Sequence, residues 1–194
     1  MKQDISQKKS GVDFGSYDSI VIKKHITDIE GGRTLDVTGF PEDVILAAHV
    51  IISKEVNSEK VYCPMPIVQV MEDKYTAVEN PKGNPKTQGW YEQSGSTYVA
   101  TTDETVTQDK TYYVKSQVGK VDEDGNKVYA YGSLPAGASY EGVLYRSILK
   151  EKPAASILID GVVNDEVMKI KLGAIESAFK AACSHIIFNH DEEA

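Results

Sequence analysis

The amino-acid sequence predicts a mainly β, α+β protein: a compact β domain with one C-terminal helix and an inserted small β-hairpin module. Three observations predict it. Apolar residues fall in short, β-branched runs, at 19–27 (SIVIKKHIT), 44–52 (VILAAHVII) and 154–159 (AASILI). Turn signals separate the runs, among them Gly31-Gly32, Asn57-Ser58, Ser94-Gly95, Asp124-Gly125 and Asp160-Gly161. Helical spacing marks one stretch, 168–183, with Leu172, Ile175, Phe179 and Ala182 on one face.

Residues 1–19 are polar and read as an N-terminal arm, broken by the aromatics Phe14 and Tyr17. These two either anchor the arm to a partner or pack back on their own domain. The run 19–27 is a strand, and Gly31-Gly32 closes a hairpin onto the alternating 34–38. The run 44–52 is continuously apolar except for His49 and reads as one buried strand. A turn at 57–60 leads to 61–70, which Pro64 and Pro66 confine to an edge or a kinked stretch.

Between 72 and 127 the composition shifts towards Asn, Gly, Pro, Thr and Tyr, with a breaker cluster at 80–85. This span reads as an inserted aromatic β module, whose small core is Trp90 with Tyr91, Tyr98, Tyr112 and Tyr113. The main β domain is then 20–71 plus 128–194. Its second part holds a Gly142-Val143-Leu144 strand, the 154–159 strand, a turn at Asp160-Gly161, the helix 168–183 and a final strand at 185–188.

The 194 residues are 41% hydrophobic, enough for a packed core. Lys and Arg number 21 against 29 Asp and Glu, a net charge of -8. Phosphate neutralisation needs a basic face, so neither nucleic acid nor anionic lipid is an expected partner. The start, MKQDISQKKSGVDFGSYDS, has no apolar run behind its lysines, so no secretory leader is expected and synthesis is placed in a cytoplasm. Cys63 and Cys183 fit neither a metal pattern nor a disulfide framework and read as small buried hydrophobes.

No catalytic constellation emerges. His49 sits in an apolar run and reads as a satisfied core histidine. His185 and His190 flank a strand and an acidic tail, a poor metal geometry, and His25 lies in a Lys-rich strand. The run 122–126 (DEDGN) lacks the alternating ligands and closing glutamate of a calcium loop and reads as a solvated hairpin tip. No phosphate-binding loop, nucleophile elbow or dinucleotide fingerprint is present. A non-enzymatic protein without cofactor or metal is therefore expected.

One arrangement is more specific. The segments VILAAHVIISK, VYCPMPI, SLPAGASYEGVLYRSIL and PAASILIDGVVNDE, then a helix and SHIIFNHD, follow in that order. This order resembles the head decoration proteins of tailed phages. The matching pieces are Ala47-Ala48-His49-Val50, Gly142-Val143-Leu144, 154–161 and Val163-Asn164. Where the family usually has a glycine in the opening strand, this chain has Ala48. The opening stretch is similar to phage head fibre or auxiliary capsid proteins, and the insert to short modules of phage virion proteins. The resemblance implies a structural virion protein on the capsid exterior, stabilising the capsid or anchoring a head fibre. It implies a homotrimer, with the major capsid protein and a fibre protein as further partners and Phe14 and Tyr17 as candidate anchors. A second reading is a carbohydrate-binding, adhesin-like module that stacks host-surface glycan on Trp90, Tyr91 and Tyr98.

Overall fold

A computed structural model describes residues 14–78, 89–101 and 110–189. The breaker cluster at 80–85, residues 1–13 of the expected arm, His190 and the acidic tail lie outside them. The chain divides into unit 1, Met1–Val68 with Tyr129–Ala194, and unit 2, Gln69–Val128.

In chain order, α1 (Phe14–Val21) leads into β1 (Ile22–Asp28), β2 (Arg33–Thr34), β3 (Val44–Ile45), β4 (Val50–Val56), β5 (Glu59–Pro64) and β6 (Ile67–Gln69). Unit 2 supplies β7 (Met71–Val78), β8 (Trp90–Ser94), β9 (Thr97–Ala100) and β10 (Tyr112–Gly119). The chain returns through β11 (Tyr129–Tyr131), β12 (Ala138–Leu144), β13 (Ile148–Leu149), β14 (Ala154–Ala155) and β15 (Ile157–Asn164). A 3-10 turn at Gly173–Ile175, α2 (Glu176–Ala182) and β16 (Ile186–Asn189) follow. The protein is mainly β.

Unit 1 is built on a six-stranded sheet in the order β1-β15-β12-β4-β5, with β16 parallel to the second half of β15. Successive strand residues point to opposite faces, and here both faces are buried. Val50, Ile52, Val143 and Leu158 join one cluster with Met168, Leu172, Ile175 and Phe179. Their strand neighbours Ile51, Leu144 and Ile157 join a second cluster with Leu35, Phe40, Ile45 and Ile148. The sheet is thus a middle layer. The α2 region covers one face, and the two-stranded ribbons β2–β14 and β3–β13 cover the other.

Six local expectations give way to this layering: residues 19–21 of the expected strand 19–27 belong to α1, the expected strand 154–159 is split between β14 and β15, and four more differ as follows. The run 44–52 is not one strand: Ala48 takes a left-handed φ of 64°, and the chain leaves the β3–β13 ribbon for the main sheet there. Both halves are buried, so the apolar run continues while the backbone does not. Gly31 and Gly32 do form a turn, with φ of 76° and 65°. Its arms pair elsewhere, β1 with β15 and β2 with β14, so no hairpin forms. Asp160-Gly161 is not a turn but lies inside β15. Finally, residues 168–172 are not helical. Gly173, at φ 50°, breaks the helix. Met168 and Leu172 still point inward, so the burial period survives without the helix.

The turn at Asn57-Ser58 is as expected, both residues being left-handed with φ of 53° and 65°. It joins β4 to the edge strand β5. At the opposite edge, β1 has three register irregularities against β15 within its seven residues.

Unit 2 is a four-stranded antiparallel sheet in the order β7-β10-β8-β9. A short hairpin follows β10, closed by the bridge Val121↔Lys127. There Asp122 accepts the backbone N–H of Asp124 at 3.1 Å and that of Asn126 at 2.8 Å. The carboxylate of the would-be calcium loop is therefore spent on turn geometry.

Candidate functional site

The residues singled out by sequence fall in three places. Tyr17 is in α1, not in a free arm. It packs against the first core cluster, and its hydroxyl accepts the Lys169 N–H at 3.1 Å. Burial raises its phenol pKa. Beside it, Asp18 accepts the backbone N–H of Ser147 at 3.0 Å and its hydroxyl at 2.5 Å. Tyr17 thus packs back on its own unit, the second of the two readings open from the sequence. The physical reason is that helix formation at 14–21 turns Tyr17 and Asp18 towards groups that complete their hydrogen bonds. Phe14 lies at the start of the same helix, and its side chain lies outside what the structure describes.

His49 is 4% exposed. Its Nε2 lies 3.0 Å from the Met65 carbonyl, so that nitrogen carries the proton. The rings of Phe40 and Tyr131 stand 5.3 and 5.2 Å away. Burial drives its pKa down to about 4. A folded pKa below the unfolded value of about 6.5 means that the unfolded chain takes up the proton first. Stability is therefore full above about pH 6.5 and falls as pH drops towards 4, by about 3 kcal/mol in all. Urea titrations of wild type and His49→Gln at pH 7 and pH 4 measure this. The wild type is expected to lose about 3 kcal/mol more than the variant across that interval. Equal losses would remove His49 as the cause.

The third place is unit 2, where the expected aromatic core is split between two faces. Trp90 and Tyr91 are adjacent on β8, and Tyr112 and Tyr113 on β10, so each pair divides. Trp90, 7% exposed, and Tyr112, 0% exposed, share one face with ring centroids 5.5 Å apart. Tyr91 and Tyr113 are cross-strand partners on the other face. Tyr75 and Tyr98 join them, and all four rings are half-buried. Tyr75 stacks on Tyr98 at 4.1 Å and 7°, and meets Tyr91 edge-on at 5.1 Å. Tyr98 meets Tyr113 at 4.9 Å. Because β7 and β9 are the outer strands, that stacking requires the sheet to curl over this face. Trp90 is thus core, as the first reading of the module has it, and the second reading loses it as an exposed stacking ring. Tyr75 was not foreseen. Its signal was the period of two in β7, which places it with Asp73 and Ala77.

Polar groups flank these rings. Lys115, directly across from Tyr75, donates to Asp73 at 2.7 Å. Tyr113 donates to Gln93 at 3.1 Å. Asp73 raises the Lys115 pKa.

No family model, curated protein or solved structure matches this chain.

Elsewhere, an open groove of about 400 Å³ runs between 31–34 and 154–156. Arg33 there donates to the carbonyls of Glu30 at 3.0 Å and Gly32 at 2.6 Å and lies over the Tyr62 ring, so its charge is already engaged. Cys63 and Cys183 are free and buried, and burial raises both thiol pKa values, that of Cys183 to about 11. Among the described residues, no three His, Cys, Asp or Glu group to hold a metal, and no helix is long and apolar enough to cross a membrane.

Proposed function

We propose that this chain is a structural virion protein of a tailed phage. It binds the outside of the head as a homotrimer, touches the major capsid protein, and stabilises the capsid or carries a fibre.

One observation carries the reading. The residues that make the sequence resemble head decoration proteins converge on one sheet: Gly142, Gly161 and Asn164 lie in β12 and β15, and Ala48 in the turn that leads into β4. Ala48, where the family usually has a glycine, has a left-handed φ of 64° and donates its N–H to Leu144 at 2.8 Å. Gly142 has φ 152°, and a Cβ there would fall inside 3.0 Å of the Leu158 carbonyl. A Cβ on Gly161 would run into the Lys24 carbonyl in the same way. Asn164, 1% exposed, accepts the Glu166 N–H at 3.1 Å and caps the end of β15. Short motifs match by chance easily. Motifs that coincide with what the backbone demands are better supported, because the demand explains why those residue types stand there.

The packing of unit 1, with the sheet covered on both faces, suits such a role. Both sheet faces are filled, so other copies or a shell would be met through loops and edges. A closed oligomer holding several sites at once multiplies weak contacts. The test is to mix purified chain with phage heads lacking decoration protein and image them, with sedimentation of the free chain alongside. Extra density on the outer surface and a trimeric species are expected. Bare heads at saturating protein would overturn the reading.

A further inference from the structure

Unit 2 carries more aromatic surface than its folding explains. Trp90 and Tyr112 occupy one face of the sheet as buried rings. The other face holds four tyrosines that touch one another yet stay half-exposed. We infer that this face, Tyr75, Tyr91, Tyr98 and Tyr113 with Lys115 and Gln93, is a binding site for an uncharged sugar ring of a glycan.

Three features select the ligand class. The rings supply flat, weakly polar surface of the kind that packs against the C–H face of a pyranose. Among the described residues, only Tyr113 of the four has a partner for its hydroxyl, Gln93, which leaves phenol groups that both donate and accept. Beside them the Lys115 ammonium keeps N–H donors beyond the one given to Asp73, whose carboxylate keeps acceptor capacity, whereas the Gln93 amide already accepts from Tyr113 and donates to the Gly95 carbonyl at 3.2 Å. A polyol, whose every hydroxyl donates and accepts, matches that set. A polyproline helix offers only carbonyl acceptors and so uses the phenols and the ammonium as donors alone. Charge decides against polyanions: Lys115 is neutralised by Asp73 at 2.7 Å, and the whole chain carries -8.

The site lies beyond the proposed capsid role, and its test needs no particle, so either proposal can fail alone. The full chain is titrated with cellohexaose, chitohexaose and maltohexaose at millimolar concentrations while tyrosine ring resonances are followed by NMR. Heparin and decaproline serve as comparison probes. At least one neutral oligosaccharide is expected to shift rings of this face. Tyr98→Ala is expected to weaken that binding about tenfold. Emission from Trp90, on the other face, reports whether unit 2 is still folded. If Tyr98→Ala disturbs it, Lys115→Met decides, since it keeps the aliphatic stem and removes the ammonium; it is expected to weaken binding severalfold. The inference is overturned if no neutral oligosaccharide moves these rings, if folded variants bind like wild type, or if heparin or decaproline binds more tightly.

Discussion

Gly142→Ala is expected to cost at least ~3 kcal/mol of unfolding free energy. Two effects add. At φ 152° an L-residue is strained, and the new Cβ would meet the Leu158 carbonyl, a backbone atom that cannot rotate away. Leu158 is paired with Val143 at the centre of the sheet, so β12 and β15 must separate for the methyl to fit. Gly137→Ala is the control. Gly137 is also left-handed, at φ 73°, but nothing lies within 4 Å of its Cβ position. It is expected to cost only about 1 kcal/mol, the conformational share alone. Urea unfolding followed by far-UV circular dichroism measures both. Equal losses at the two positions would show that crowding at Gly142 is not the cause.

Phe179→Ala should be nearly as damaging, at about 4 kcal/mol. Phe179 is 0% exposed and is the ring by which α2 grips the sheet. It meets Tyr140 of β12 at 5.5 Å and Phe188 of β16 at 6.0 Å, both edge-on. Truncation leaves a void among rings that cannot collapse into it without moving strands. Phe179→Leu keeps most of the volume and should lose less than half as much. A loss below about 1 kcal/mol for the alanine variant would mean that α2 is not held by this contact.

Much of this architecture is legible in the sequence, and the failures share a cause. Composition alone places the insert at 72–127, against a structural unit of Gln69–Val128. The β-branched runs mark buried strands because burial selects those side chains. Residue type reports burial, however, and burial does not report which partner a strand takes. Hence 44–52 looks like one strand although it serves two sheets, and Gly31-Gly32 looks like a hairpin although its arms diverge. The 168–183 stretch keeps Leu172, Ile175 and Phe179 inward while Ala182 is exposed, and Gly173 limits the helix to the last turns.

The aromatic module shows the same limit in another form. Counting rings gives one core of five. Counting them in steps of two along β8 and β10 separates Trp90 and Tyr112 from Tyr91 and Tyr113, and reaches the two faces without coordinates. Tyr75 could not be joined to Tyr98 in this way. Their contact depends on the curl of a sheet whose outer strands they occupy. Tyr17 illustrates a different gap. Its polar neighbours read as an arm, and only the Lys169 N–H, far along the chain, shows what it is for.

The uneven spacing of β1 against β15 has a consequence at high protein density. A foreign strand docks on an exposed edge by matching a regular ladder of amide and carbonyl groups. Three shifts within seven residues break that rhythm, and Lys23, Lys24 and His25 add solvated side chains along it. Neighbouring copies crowded together would find no continuous row to extend, so the sheet stays finite and fibre growth through this margin is suppressed.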